Sequence, residues 1–154
     1  SAVAPMNSAD PLVGTYLNYL ENREAFRHIV TLWLTDEGLP GLVHCTVGKD
    51  RTGVTIALLL AAAGVDEDAV VSDYARTETL LPRERNARVV AHLRRMHPEA
   101  RHLEDLATRS PAPVMRTVLE DVSARFGSAA DYLRAGGMAD DELRALRDVL
   151  IDRD

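Results

Sequence analysis

HCTVGKDRTG, residues 44–53, holds the single cysteine of the chain, Cys45, and its single lysine, Lys49. The stretch LVHC at residues 42–45 leads into it after a glycine, and a short apolar run beside a turn residue is typical of a strand. The sequence that follows is apolar on every side, which indicates a buried helix from Arg51 to Gly64. We therefore predict a strand, a loop and a buried helix in that order.

The predicted loop has the residues of an anion-binding site. Backbone N–H groups ahead of a helix N-terminus carry partial positive charge and bind anions. Gly48 and Gly53 allow tight turning and close approach, and the planar guanidinium of Arg51 matches two phosphate oxygens. Helix N-termini and nearby cations lower thiol pKa values, so Cys45 would be a thiolate at neutral pH. The loop thus predicts a nucleophile facing a bound phosphate, ready for phosphoryl transfer.

Other loops fit the spacing less well. A nucleotide-binding Walker loop needs four residues between its glycines, whereas six separate Gly41 from Gly48. That loop also needs a serine or threonine where this chain has Asp50. A sulfurtransferase loop carries one cysteine before a helix but does not require the cysteine-to-arginine spacing found here. The structural alternative, a buried and inert Cys45, leaves the accompanying glycines and arginine unexplained.

Composition indicates one domain and excludes some partners. The 154 residues are 46% hydrophobic and 27% charged, which is enough to bury a core. A net charge of -6 and a pI near 5.3 argue against general nucleic-acid binding. The longest apolar run, residues 53–65, is shorter than the roughly 20 residues that span a bilayer. Residues 1–10 lack the features of a signal peptide, so we predict a cytoplasmic protein without stable membrane insertion and leave secretion open.

We predict no metal and no cofactor. One cysteine cannot form a disulfide within the chain, so the thiol is free for packing or chemistry. His92, His97 and His102 stand at spacings that match no familiar ligand pattern, and we interpret them as solvated residues, with a metal site as the alternative. The arginine-rich segment at residues 82–96 is interpreted as a solvated helix face, with contact to anionic lipid as the alternative.

Apolar periodicity predicts helices over most of the chain. Residues 11–37 are predicted to form one long helix or two in line, with Asp10 as N-cap. Residues 101–113 are predicted to be irregular, with SPAP at residues 110–113 as a clear break. Further helices are predicted over residues 66–80, 82–96, 114–126, 128–135 and 139–151.

A single strand leaves its backbone groups unpaired, so the predicted strand needs partners. They could come from AVAPM at residues 2–6, from a removed N-terminal segment, or from another chain. We therefore predict a mostly helical α/β fold in which a short central strand at residues 42–45 leads into the phosphate loop. We expect that strand to pair with strands from outside residues 10–154.

HCTVGKDRTG matches the HCx5R[ST]G motif of the cysteine-dependent protein tyrosine phosphatase superfamily, a highly specific motif. The inner GKDRTG resembles the atypical bacterial tyrosine and lipid phosphatases, called triple-specificity because members also act on phosphoserine/threonine and phosphoinositides. DYARTETLL at residues 73–81 and the sequence of residues 126–150 resemble the C-terminal half of that family, and residues 16–45 resemble the segment before its active site. The resemblance implies hydrolysis of phosphate monoesters, on a phosphorylated protein or a phosphoinositide, without a cofactor.

The resemblance also implies a role for each loop residue. Cys45 would form a phosphocysteine, Arg51 would stabilise the transition state, and Thr52 would donate a hydrogen bond to the sulfur. The lysine would add positive charge for multiply phosphorylated substrates, with a surface lysine as the alternative. His44 would brace the loop, with a satisfied strand-end histidine as the alternative. The amides that would cradle the phosphoryl oxygens belong to Thr46, Val47, Gly48, Lys49, Asp50 and Arg51.

The chain departs from the family pattern in one respect. Family members usually begin with a strand-rich half that carries an arginine-aspartate motif similar to FRD, and no such motif is present. We therefore expect residues 1–154 to form a single phosphatase-like domain that corresponds to the later part of a full family domain. A phosphate-binding pseudophosphatase or interaction module is the alternative from another class. An arsenate reductase with a similar loop would need additional cysteines.

The general acid has one candidate inside the loop. Asp50 immediately precedes Arg51, where a carboxylate opposes the anion, and proton delivery would explain that placement. A bound phosphate dianion would favour the protonated form of this carboxyl. The structural alternative is that Asp50 pairs with Lys49 or a loop amide and holds the loop in shape. Upstream, Asp10 is interpreted as an N-cap, and residues 36–37 as a solvated helix end.

Overall fold

Helices make up the described part of the fold. A computed structural model describes residues 10–35 and 40–151, and the secondary structure of these ranges consists of nine helices. The helices are α1 (Pro11–Tyr19), α2 (Arg23–Trp33), α3 (Asp50–Ala63), α4 (Glu67–Leu80), α5 (Arg83–Met96), α6 (Leu103–Thr108), α7 (Ala112–Phe126), α8 (Ala129–Ala135) and α9 (Asp140–Leu150).

The predicted strand is absent, and the α/β prediction is wrong for the described part of the chain, which is all-helical. Residues 42–45 lead irregularly into the loop, and Leu42 is 85% exposed. A strand exists only when a neighbour pairs with its backbone, and a run of so few apolar residues does not specify one. With no strand formed, the prediction of outside sheet partners loses its basis, and AVAPM at residues 2–6 lies outside the described residues.

Most predicted helix boundaries are confirmed, because local capping chemistry specifies them. Asp10 accepts a hydrogen bond from the Val13 N–H at 3.1 Å and begins α1. The segment after it is two helices, since the Asn22 side chain caps α2. Gly64 ends α3 with φ +94°, a left-handed conformation that favours glycine.

The prediction that residues 101–113 are irregular is wrong in part, because α6 forms within them. This helix is only 6 residues long, too short for a periodic apolar pattern. It also lacks a start signal, since His102 at its N-terminus has φ 56° and no side-chain cap. Burial of Leu103 and Ala107 holds it in place. Of the predicted break at residues 110–113, Ser110 and Pro111 lie between α6 and α7, whereas Ala112 and Pro113 already belong to α7.

Helix α3 lies at the centre of the fold and begins at the loop. It packs against α1, α4, α8 and α9, which explains why it is apolar on every side. Its buried residues are Val54, Thr55, Ala57, Leu58, Leu59 and Ala63. The N-terminus of a rigid, buried helix thus fixes the position of the loop. None of the described helices is long and apolar enough to cross a membrane.

Candidate active site

The loop between Cys45 and α3 curls around the cysteine sulfur. Residues 46–49 form bends, and Gly48 adopts φ +76°, which costs little only for glycine. This curvature turns backbone N–H groups of Val47 and Gly48 toward the sulfur, where they donate hydrogen bonds. The first turn of α3 adds the N–H of Thr52. The result is a concave nest of donors at a helix N-terminus, suited to an anion.

Cys45 is an activated thiol in this nest. Partial burial by itself would raise its pKa, but the Thr52 hydroxyl and the N–H groups of Thr52, Val47 and Gly48 outweigh burial and lower the pKa to about 6. The Thr52 Oγ1 also accepts the Cys45 N–H at 2.8 Å, which leaves its own proton free to point at the sulfur. A thiol with this pKa is a thiolate at neutral pH, the form that acts as a nucleophile.

Arg51 stands at the mouth of the nest with its guanidinium exposed. Its Nη2 donates to Thr46 Oγ1 at 3.3 Å, and Thr55 Oγ1 donates to its carbonyl oxygen at 2.7 Å. Within residues 10–35 and 40–151 the guanidinium forms no ion pair. Its fork of donors is therefore available to a bound anion.

A cavity of about 570 Å³ opens beside the loop. From the loop, it is lined by Thr46, Val47, Asp50 and Arg51, and the N-terminal helix contributes Thr15 and Tyr19. Arg88 and His92 of α5 also line it, together with Val89, Leu93, Leu106 and Ala107. The sequence predicts a solvated face for this arginine-rich helix. No sequence signal indicates that residues of this helix line a cavity beside the loop, because their position near the loop depends on tertiary packing.

Lys49 does not reach this cavity. Its side chain is fully buried, and its Nζ donates to Asp50 Oδ1 and to the carbonyl oxygen of Arg109 at 2.8 Å. Ser110 holds that carbonyl in place, because its N–H donates to Glu78 Oε2 at 2.9 Å. The single lysine of the chain therefore ties the loop to the connection between α6 and α7.

Asp50 faces both the cavity and the protein interior. Its Oδ1 accepts hydrogen bonds from Lys49 and, at 2.7 Å, from the buried hydroxyl of Tyr16 on α1. The Tyr16 hydroxyl also lies 2.9 Å from the hydroxyl of Tyr74 on α4. Neither Tyr16 nor Tyr74 is predicted as a site residue from the sequence. Their partnership joins residues 58 positions apart, which no local pattern reveals.

Gly53 serves packing and not only loop curvature. It lies inside α3, and a Cβ atom there would stand 2.9 Å from Tyr74 Cδ2. Glycine thus lets the Tyr74 ring pack directly on the first turn of α3, which brings its hydroxyl within reach of Tyr16. The last position of the predicted loop motif is therefore explained by a partner on α4.

The remaining residues singled out from the sequence lie outside the nest of N–H donors. His44 is exposed, and its Nδ1–H donates to the carbonyl oxygen of the neighbouring Cys45 at 3.0 Å. Asp10 caps α1, and residues 36–37 lie outside the described residues. Where the structure describes the chain, no group of histidine, cysteine, aspartate and glutamate could hold a metal ion. His92 lines the cavity, whereas His97 and His102 do not.

Known proteins are similar in sequence to this chain over most of its length. Residues 2–152 match the sequence model of the tyrosine phosphatase family. The chain is 32% identical over 139 residues to the triple specificity protein phosphatase PtpB of Mycobacterium tuberculosis, covering 84% of this chain and 49% of that protein. It is 28% identical over 142 residues to a tyrosine-protein phosphatase of Nostoc commune, covering 90% of this chain and 48% of that protein. The chain spans about half the length of both relatives.

Proposed function

The chain belongs to the tyrosine phosphatase family, and on that basis we propose that it hydrolyses phosphate monoesters through a phosphocysteine on Cys45. The resemblance seen in HCTVGKDRTG is confirmed at the level of the family. Phosphotyrosine is the first substrate class proposed. Phosphoserine, phosphothreonine and phosphoinositides follow from the similarity to a relative whose name describes triple specificity.

One observation carries the proposal: the N–H groups of Val47, Gly48 and Thr52 converge on the Cys45 sulfur and lower the thiol pKa to about 6, and Thr46, Val47 and Arg51 of the same loop line a cavity. An inert structural cysteine gains nothing from such donors. A phosphate dianion placed in the nest would meet the amides, the α3 N-terminus and the exposed Arg51 guanidinium. These groups stabilise the negative charge that develops on the equatorial oxygens during transfer.

The first step forms a sulfur–phosphorus bond and breaks the ester bond. The Cys45 thiolate attacks phosphorus, and the leaving oxygen takes a proton from Asp50, the only carboxyl lining the cavity among the described residues. In the second step Asp50 takes a proton from water, which attacks the phosphocysteine and releases phosphate and the Cys45 thiolate. The Thr52 hydroxyl stabilises that departing thiolate by the same hydrogen bond that lowers the thiol pKa.

The cavity supports a substrate with anionic character around its phosphate. Arg88 and His92 of α5 line the same cavity as Arg51. Within the described part of the chain Arg88 pairs with no carboxylate, so its charge is available to a ligand. We propose a phosphorylated protein or a phosphoinositide as the partner of this cavity.

The test compares turnover with binding. The unaltered chain is expected to hydrolyse p-nitrophenyl phosphate, and Cys45→Ser should reduce kcat by roughly 10⁵-fold or more, because a serine hydroxyl is not ionised at neutral pH. Orthovanadate binding, followed by calorimetry, should persist in Cys45→Ser, since the amides and Arg51 are untouched. Vanadate binding without turnover in the unaltered chain would indicate a phosphate-binding module instead. Substantial turnover in Cys45→Ser would exclude the phosphocysteine mechanism.

A further inference from the structure

A chain of buried hydroxyl groups ends on the one carboxylate of the loop. Tyr16 is 0% exposed and Tyr74 is 4% exposed, and their hydroxyl oxygens lie 2.9 Å apart. Burial, together with the Asp50 carboxylate and the neighbouring hydroxyl, raises the pKa of Tyr16 far above its ordinary value. Burial likewise raises the pKa of Tyr74. Both groups therefore keep their protons over the whole range in which the protein is handled.

Counting protons gives the hydrogen bonds a direction. Tyr16 has one hydroxyl proton, and it is donated to Asp50 Oδ1 at 2.7 Å. The Tyr16 oxygen can then only accept from its neighbour, so Tyr74 is the donor of the second bond. The order is Tyr74 to Tyr16 to Asp50. Because Tyr16 is fully buried, water cannot replace either bond.

The two oxygens of Asp50 have unequal surroundings. Oδ1 accepts from Tyr16 and from Lys49, whereas Oδ2 has no hydrogen-bond partner among the described residues. The carboxyl also lines the cavity next to Arg51, and its side chain is 24% exposed. One oxygen is therefore anchored in the interior, and the other is left to face a ligand.

We propose that Tyr16 and Tyr74 are positioning residues that anchor Asp50 Oδ1, so that Oδ2 carries the proton exchanged with the ester oxygen. The inference rests on the proposed phosphatase function and adds to it the groups that aim its general acid. In the first step the Oδ2 proton moves to the leaving oxygen as the phosphorus–oxygen bond breaks. In the second step Oδ2 accepts a proton from the attacking water, which restores the starting state.

This arrangement predicts a kinetic pattern that simple loss of packing does not produce. Poor leaving groups need the proton, whereas good leaving groups depart without it. Tyr16→Phe is expected to lower kcat/KM for phenyl phosphate by about tenfold or more, since kcat/KM reports the step that forms the phosphocysteine and small displacements of a catalytic group cost rates of this order. For p-nitrophenyl phosphate the loss in kcat/KM should stay below about threefold.

Two further variants and one matched control make the test more specific. Tyr74→Phe leaves Tyr16 donating to Asp50, so its effect should be in the same direction but smaller, about twofold to threefold on phenyl phosphate. Tyr16→Phe/Tyr74→Phe removes both hydroxyls and avoids leaving that of Tyr74 without its acceptor. Tyr132→Phe is the matched control: its fully buried hydroxyl donates to the Leu20 carbonyl at 2.8 Å and belongs to no loop contact. It should leave both rates unchanged.

A double-mutant cycle decides whether the tyrosines act through Asp50. In an Asp50→Asn background, which itself should lower kcat/KM selectively for phenyl phosphate, Tyr16→Phe is expected to lower kcat/KM for that ester by less than about twofold further. Equal losses for the two esters in Tyr16→Phe, or losses that multiply fully with Asp50→Asn, would overturn the inference.

A second measurement keeps the inference separate from the proposed function. Urea unfolding of the unaltered chain, Tyr16→Phe, Asp50→Ala and Tyr16→Phe/Asp50→Ala should show non-additive free energies, because each single substitution removes the same Tyr16–Asp50 hydrogen bond. Absence of turnover in the unaltered chain contradicts the proposed function, and the anchor is then judged by unfolding alone. Additive unfolding free energies would overturn the anchor, whatever the activity.

Discussion

Lys49 and Arg51 stand two positions apart in one loop and carry the same charge, but the structure gives them opposite surroundings. Arg51 is exposed at a cavity of about 570 Å³, where it donates only to Thr46 among the described residues. The Lys49 side chain is 0% exposed and donates to Asp50 and to the carbonyl of Arg109. The positive charge is therefore available to a ligand at one position and is held by loop and backbone acceptors at the other.

The loop region has an open face and a buried face. The open face consists of Cys45, Thr46 and Arg51, and the buried face consists of Lys49 with its tyrosine neighbours Tyr16 and Tyr74. Changes on the open face should affect chemistry and spare folding, whereas changes on the buried face should affect folding first. Asp50 belongs to both faces, because it lines the cavity with one side and is anchored in the interior by the other.

The largest effect is expected on the open face. Arg51→Lys keeps the charge but loses the planar fork that binds two phosphoryl oxygens. We expect kcat for p-nitrophenyl phosphate to fall by about 10²- to 10³-fold, the cost of losing a transition-state donor. Urea unfolding should change little, since the side chain is exposed. A near-normal rate in Arg51→Lys would mean that the loop amides bind the phosphoryl group without help.

A change in stability is expected on the buried face. Lys49→Met leaves Asp50 and the Arg109 carbonyl without their buried donor, which should lower the free energy of unfolding by about 2 kcal/mol. This value is below the cost for a fully buried pair, because Asp50 is partly exposed. Arg51→Met is the matched control, with an expected change of no more than about 0.5 kcal/mol. Equal losses of stability in the two variants would remove the distinction between the faces.

The family resemblance predicts that Lys49 favours multiply phosphorylated substrates, and Lys49→Met tests that prediction. A lysine that only shapes the loop should affect phosphotyrosine peptides and phosphoinositide bisphosphates to the same degree. A selective loss of activity on the bisphosphate, with unchanged stability, would place the lysine on the open face instead.

The smallest effect is expected for Thr52, whose hydroxyl donates a hydrogen bond to the Cys45 sulfur. Thr52→Ala removes a hydroxyl that lowers the thiol pKa, so the pKa of Cys45 should rise from about 6 toward its ordinary value. The rate of Cys45 alkylation by iodoacetamide as a function of pH reports this, since only the thiolate reacts. The midpoint of the profile should move upward by about one unit. Thr52→Ser keeps the hydroxyl and should keep the midpoint, and an unchanged profile in Thr52→Ala would assign the low pKa to the amides.

The features that could be predicted from the sequence depend on contacts between residues close together in the chain. The caps Asp10 and Gly64 specify helix ends through neighbours a few residues away, and both were found from the sequence. The loop motif likewise brings the thiol, the arginine and the amides together within a single turn of the chain. The family followed from the same short segment and is confirmed.

What could not be predicted depended on contacts between distant elements. The strand expected at residues 42–45 did not form, because a strand is specified by its partner as much as by its own residues. The environments of Lys49 and Asp50 depend on Tyr16 and Tyr74, which are far from the loop in sequence. A lysine in a loop looks solvated until the packing of α1, α4 and the connection before α7 is known.

The central claim is that the open face carries out covalent phosphoryl transfer, and capture of the phosphocysteine tests it most directly. The unaltered chain is mixed with p-nitrophenyl phosphate, turnover is stopped by rapid denaturation, and the phosphorylated residue is located by mass spectrometry. We expect a phosphoryl group on Cys45, and none in Cys45→Ser treated in the same way. Turnover accompanied by a phosphoryl group on another residue, or turnover that persists in Cys45→Ser, would contradict the account.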